Sequence, residues 1–403
     1  MLASNVHLAS IKPLGADLAA LPRFRLSLSS VTALFRSGLA VGLTVGLLAC
    51  SSTVEKPKPK ELTPNVALIG VKQVWSARLG EVKFPLDVNV VGDGITLASS
   101  DGTVVSMDAR TGAEKWRRIV GEPLSAGVGS DGKSAAVVTT SNQLVVLDGS
   151  RELWRQKLTA QAFTAPLVAG GRVFVLTADR AVSAYDGQTG RRLWVQQKPG
   201  EPLVLRQSGV ILAVGDLLVA GQAGRMVGIN PNTGLIRWEA PIASPRGTND
   251  VERLVDLVGR VSRVGDVVCA RAFQANVGCV NTARGNLMWT QAANGYEGVH
   301  GDAERVVGTE ADGKITAWRR SDGQRLWVSD RLQYRSLTAP LVLGRSVVVG
   351  DGNGMLHFLS REDGSPLSRI TTDGSAIVGG PTVADGTLVV VTRNGGIFGF
   401  VPE

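Results

Sequence analysis

DARTGAEKW, from Asp108 to Trp116, is written again along the chain, and the repetition decides the fold. DGQTGRRLW runs from Asp186 to Trp194, NPNTGLIRW from Asn230 to Trp238, NTARGNLMW from Asn281 to Trp289 and RRSDGQRLW from Arg319 to Trp327. Each has Gly at the fifth position and Trp at the ninth. A shortened copy, DGSRELW, ends at Trp154, and a degenerate copy, SREDGSPLS, ends at Ser368 with Ser in place of Trp. The sequence around one copy, APLVAGGRVFVLTADRAVSAYDGQTGRRLWVQQ from Ala165, shows what lies between. A Pro-led apolar run is followed by Gly-Gly, an alternating β-branched run, the turn pair Asp179-Arg180, a second alternating run, a GQTG turn and a third run. That predicts four short antiparallel strands per unit. After residue 60 the sequence carries no sustained 3.6-residue apolar period.

The marks Trp75, Trp116, Trp154, Trp194, Trp238, Trp289 and Trp327 are spaced by 41, 38, 40, 44, 51 and 38 residues, and Ser368 lies 41 further on. A period near forty with four strands per unit is that of an all-β propeller. The count predicts an eight-bladed β-propeller. The C-terminal residues supply only three strands of the last blade, so its fourth must be the N-terminal strand near Trp75. Pairing the chain ends hides edges that a linear stack exposes. Within the motif, Gly at position five permits a positive φ, and Asp or Asn at position one bonds the backbone two residues on. Trp at position nine is expected to wedge against the neighbouring blade, burying roughly 200 Å² of ring surface. The motif is read as structural.

Of the 403 residues, 44% are hydrophobic and 49 are Gly, and the formal net charge is +8. The basic residues are scattered singly, without a run of five like charges, which argues against a nucleic-acid partner. A mildly basic surface also suits an anionic membrane. Residues 39–49, LAVGLTVGLLA, form an apolar run preceded by Arg36, of signal-peptide length and too short to span a bilayer. It ends at Cys50, followed by SSTVEKPKPKE. Residues 1–49 are therefore read as a signal peptide, whose true start falls near Val31. Residues 50–65 are read as a flexible, Lys/Pro-rich tether and 66–403 as the propeller.

LLAC at Cys50 resembles the lipobox of bacterial lipoproteins, in which the Cys is lipidated. Ser51 after it implies the outer membrane. The strand-Asp-x-x-Thr-Gly-x-x-x-Trp repeat resembles the quinoprotein type, which two function classes share. One is the quinone-cofactor (PQQ-type) dehydrogenases, the alternative reading. Those carry longer loop insertions, a calcium held by carboxylates and amide oxygens and often an adjacent Cys-Cys pair, whereas this sequence is nearly all minimal repeat and has no Cys-Cys pair. The other is the BamB family of outer-membrane assembly lipoproteins, a scaffold without chemistry or cofactor. PLVLRQSG, residues 202–209, resembles that family's L-x-L-R loop, with Leu203, Leu205 and Arg206 at the matching positions. NDVERLVDLVGR, residues 249–260, resembles its acidic loop, matching at Glu252, Arg253 and Asp256, with Val258 where a second acid is usual. The resemblance implies binding to the periplasmic domains of BamA, with client β-barrel proteins as further partners, and a lipid-anchored place on the periplasmic face of the outer membrane. Carboxylates across from Arg206 are expected to orient it.

His357, in the alternating run GMLHFLS, reads as a strand residue, and His300 has no second His or carboxylate at metal-ligand spacing, so no metal or catalytic residue is predicted. Cys269 and Cys279 stand in VVCARAFQANVGCV, with a turn near Gln274. Opposite places on a hairpin in an oxidising periplasm predict a disulfide, whereas a one-residue register shift puts them on opposite faces.

Overall fold

The alternating runs form thirty-two strands among the described residues, gathered into eight four-stranded antiparallel sheets. The computed structural model describes residues 57–198, 204–245 and 254–403. Blades 1 to 7 span residues 89–119, 129–157, 167–197, 211–241, 257–292, 299–329 and 341–371, each with its strands in sequence order. Blade 8 takes three strands from 377–402 and its fourth from the N-terminal side, Val71–Arg78. That strand pairs with Gly396–Pro402, with Val71 opposite Pro402 and Arg78 opposite Gly396. The fold is the eight-bladed propeller that the spacing predicts, closed by the strand at Trp75.

The middle strands of a blade are buried on both faces. In blade 1, Gly94–Ala98 and Thr103–Asp108 are almost wholly buried, while the outer strand Glu114–Ile119 alternates. A neighbouring sheet covers each face, so the middle strands are continuous apolar runs. The core therefore lies in the seams. One cluster joins Ile95 and Leu97 of blade 1, Val137 and Val145 of blade 2 and Val389 and Val391 of blade 8.

The repeated motif builds these seams. Trp75, on the outer strand of blade 8, donates from its indole N–H to the Ala109 carbonyl of blade 1 at 3.0 Å. A Cβ on Gly112 would lie 2.6 Å from the same ring, and Gly112 has φ 71°. Trp154 repeats this with Gly187 O and Gly190, and Trp194 with Pro231 O and Gly234. Trp289 sits on Gly323 and Trp327 on Gly364 in the same way, bonded to Arg320 O and Arg361 O. Position five is thus Gly for two reasons: a left-handed backbone, and the ring of the preceding blade resting where a side chain would begin. Asp108 and Asp186 cap the turn as expected, each accepting from the N–H groups two and three residues on. The sequence did not disclose that the ladder shifts register beside each of these Trp residues, as between Ala184 and Tyr185.

Ser368 now has an explanation. Trp194, Trp238 and Trp327 face Ala184, Gly228 and Ala317 across the ladder, whereas Ser368 faces Phe358. Large and small have changed places. The turn that would seat a Trp in blade 8 is replaced by the chain ends. Of the residues read as tether, Lys60 is bonded to Gln333 O and Asp330 in the connection from blade 6 to blade 7, and Thr63 and Asn65 lie along the outer strand of blade 7. Asn65 Nδ2 donates to Arg369 O at 3.0 Å, and Arg369 donates to Thr63 O at 3.3 Å.

Candidate partner-binding site

Of the residues singled out by the sequence, Leu203, Glu252, Arg253 and Cys50 lie outside the described residues. Leu205 and Arg206 are in the connection from blade 3 to blade 4, and Asp256 is in the connection from blade 4 to blade 5. The last strand of blade 3 ends at Gln197, and the sequence after it, KPGEP, carries two Pro, which cannot donate to a ladder.

The structure brings Leu205 and Asp256 together. The Leu205 N–H donates to Asp256 Oδ2 at 3.3 Å. The other carboxylate oxygen lies 3.6 Å from an Arg180 guanidinium nitrogen. Arg180 occupies the turn after strand Arg172–Leu176 of blade 3 and is buried, with φ 62°. Its carbonyl accepts from Gln222 Nε2 of blade 4 at 2.8 Å. Burial pushes the Asp256 pKa above its usual value, against the opposing pull of Arg180 and of the Leu205 N–H. Two more bonds hold the loop: Gly209 N–H to Thr164 Oγ1 and Gly259 N–H to Ser208 O, both at 2.8 Å.

Arg206 is exposed, with its guanidinium carbon 5.5 Å from the centroid of the Phe163 ring. Leu205 is half-buried, and a small groove of about 50 Å³ runs beside it between Phe163, Leu176, Leu205 and Leu257. Of the carboxylates expected across from Arg206, Glu252 lies outside the described residues and Asp256 is engaged by Arg180 and the Leu205 N–H. Asp256 lies under the loop where Arg180 reaches it, and an aromatic face supports Arg206 instead. Val258 is buried and faces Arg271 in the ladder, so an acid at this position would be turned into the core. Sequence reading missed Phe163, Thr164 and Arg180; their only trace was the Asp179-Arg180 turn pair, which carries no hint of a contact to Asp256.

Cys269 and Cys279 face each other directly in the ladder, both fully buried, with Cα atoms 3.9 Å apart and their sulfurs within bonding distance. The turn falls at Gln274, with φ 46°. Arg320 of blade 6 donates to Cys269 Sγ and to Ser262 Oγ. His357 is a strand residue bonded to the buried Asp351, which also accepts from Arg335 Nε, each at 2.9 Å. Burial opposes ionisation of Asp351, yet hydrogen bonds from His357 and from the Met355 and Asn353 N–H groups hold its pKa down to about 2.

A cavity of about 230 Å³ on the propeller axis is lined by Asp87 and Val88 before blade 1, Ile211 of blade 4, Arg260 of blade 5 and Thr382 of blade 8. Arg260 crosses it to donate to Pro381 O at 2.6 Å. Glu297 has its pKa raised to about 7, first by burial and then by the charge of Asp87. His300 is pushed down to about 3 by burial and then by Arg260 and Arg320, so its ring is neutral, with Nδ1 accepting from the Val342 N–H at 3.1 Å. Among the described residues no three His, Cys, Asp or Glu side chains are grouped to hold a metal ion.

A family model described as outer membrane protein assembly factor BamB matches residues 100–329. The chain is 39% identical over 361 residues to the protein of that name from Burkholderia pseudomallei, covering 88% of this chain and 94% of the relative. It is 34% identical over 368 residues to that of Bordetella pertussis, covering 89% and 95%. Among solved structures it matches BamB from Moraxella catarrhalis with TM-score 0.75 and 25% identity, over 82% of this chain and 99% of that one. A quinohemoprotein alcohol dehydrogenase from Comamonas testosteroni matches with TM-score 0.63 at 14% identity, over 85% and 78% of the two chains, a likeness of fold alone. With the motif, the eight blades and these relatives in agreement, the chain belongs to the family of the outer membrane protein assembly factor BamB.

Proposed function

We propose that this chain is a non-catalytic scaffold lipoprotein of the outer-membrane β-barrel assembly machinery, anchored through lipidated Cys50 on the periplasmic face. Leu203, Leu205 and Arg206, together with Glu252, Arg253 and Asp256, bind the periplasmic domains of BamA. The relatives it resembles over most of its length are named outer membrane protein assembly factors. The observation that carries the site is the pairing of an exposed Arg206, supported by Phe163, with a half-buried Leu205 whose backbone is tied to Asp256. An apolar anchor beside a pre-oriented guanidinium is the composition of a binding hot spot, and a held loop loses little entropy on docking. Client β-barrel proteins would be bound through the same assembly. The dehydrogenase alternative draws on a likeness of fold.

Calorimetric titration of the purified chain with the periplasmic region of BamA tests the site. Replacing both Leu205 and Arg206 by Ala is expected to weaken binding by about 3 kcal/mol, roughly a hundredfold. Unchanged affinity removes the loop from the interface. For the anchor, the Cys50→Ala chain is expected in the soluble fraction, with radiolabelled palmitate incorporated only by the wild type.

A further inference from the structure

We propose that Arg180 is a positioning residue for the partner-binding loop, acting through Asp256; this rests on the reading of that loop as the partner site. Arg180 is buried and lies in the turn between the second and third strands of blade 3, apart in sequence from both loops. Its guanidinium lies 3.6 Å from one Asp256 oxygen while the other oxygen accepts from Leu205 N–H at 3.3 Å. The carboxylate joins the two loops to the blade 3 turn. Gln222 fixes that turn from blade 4 by donating to the Arg180 carbonyl, and donates also to Gln196 Oε1 at 2.9 Å. The order of cause is therefore turn, guanidinium, carboxylate, Leu205 backbone, and finally the Arg206 side chain next along the chain.

Removing Arg180 leaves a half-buried carboxylate without its cation. Such a group takes up a proton or turns to water, and either change weakens its acceptance from Leu205 N–H. Arg206 itself would be untouched, still exposed and still beside Phe163, but carried by a loop that has lost its hold at Leu205. The consequence falls on the partner's affinity rather than on the fold.

The test uses the full chain with Arg180→Met, Arg180→Lys and, as a surface control, Arg237→Ala, whose partner Asp216 is exposed. Two readouts are taken: affinity for the purified periplasmic region of BamA, and hydrogen exchange at the Leu205 amide with the amides of Arg172–Leu176 as a folding check. Arg180→Met is expected to weaken binding about tenfold and to speed Leu205 exchange while the strand amides stay protected. Arg180→Lys restores the cation and is expected to stay within about threefold of wild type, because this contact is to one nitrogen rather than a fork. In a double-mutant cycle, adding Asp256→Asn to Arg180→Met is expected to cost little more than Arg180→Met alone. If the wild type binds and Arg180→Met binds equally well, or if Leu205 exchange does not change, the role is overturned. A wild type that does not bind overturns the functional reading instead.

Discussion

At the scale of single residues the fifth-position glycine is the clearest case. Gly190 has φ 71°, and a Cβ there would meet the Trp154 ring at 2.7 Å. Gly149, in the shortened copy, has φ 57° with nothing within 4 Å of a Cβ. Gly190→Ala is expected to cost about 3 kcal/mol in denaturant unfolding, and Gly149→Ala only about 1 kcal/mol of backbone strain. Equal costs would mean that the ring contact is dispensable. Position, residue type and the sign of φ were legible in the repeat; the close approach of the Trp was legible only as an expectation of wedging, since it joins residues of different blades. Glu297 and His300 give a pH signature. The Glu297 pKa of about 7 lies above an ordinary carboxylate, so the folded state holds a proton that the unfolded chain releases, and its contribution to stability falls as pH rises from about 4.5 to about 7. His300, depressed to about 3, contributes oppositely, losing stability as pH falls below about 6.5. Subtracting the stability of Glu297→Gln from that of wild type, pH by pH, isolates the first slope. The difference is expected to decline between pH 4.5 and 7, and a flat difference would contradict the raised pKa.

At the scale of elements, the seams differ in chemistry. Most are closed by Trp and aliphatic side chains, but that between blades 5 and 6 buries Arg271 completely, opposite Glu310 at 3.4 Å. The Gly308 and Gly295 positions leave room for it, since a Cβ on either would lie within 2.4 Å of the guanidinium. Glu310→Gln strands that charge and is expected to cost about 3 kcal/mol or more, whereas the double replacement Arg271→Met/Glu310→Leu is expected to cost less than Glu310→Gln alone. Calorimetric unfolding of the two variants decides it; a double variant worse than the single one would show that the pair stabilises the seam beyond mutual neutralisation. Next to it, Cys269 and Cys279 are placed opposite one another. The account expects no reactive thiol from either in the unfolded, unreduced chain, and two free thiols there would refute the pairing. The hairpin was legible from the turn at Gln274, but its register was not, because a one-residue slip changes the face. The buried arginines were illegible: a scattered Arg in an alternating strand reads as solvent-facing until the opposite blade is known.

At the scale of the whole molecule, period and closure were legible because they rest on spacing, which survives drift in the residues between. Trp75, counted as the first mark, predicted the strand that completes blade 8, and Val71–Arg78 occupies that place. Deleting residues 57–78 is expected to expose the Gly396–Pro402 edge and broaden unfolding into more than one transition, seen by calorimetry. A single transition at the wild-type temperature would deny closure a stabilising role. The candidate site was legible only through resemblance to a family, since Leu205, Arg206 and Asp256 converge from two connections that no periodicity marks. The same holds for the partner. The most direct test of the scaffold account is copurification in detergent from membranes of the native organism, comparing wild type with Leu203→Ala/Leu205→Ala/Arg206→Ala. The account predicts a large β-barrel protein that accompanies the wild type and is lost from the triple variant, and a wild type that brings down no barrel protein would contradict it.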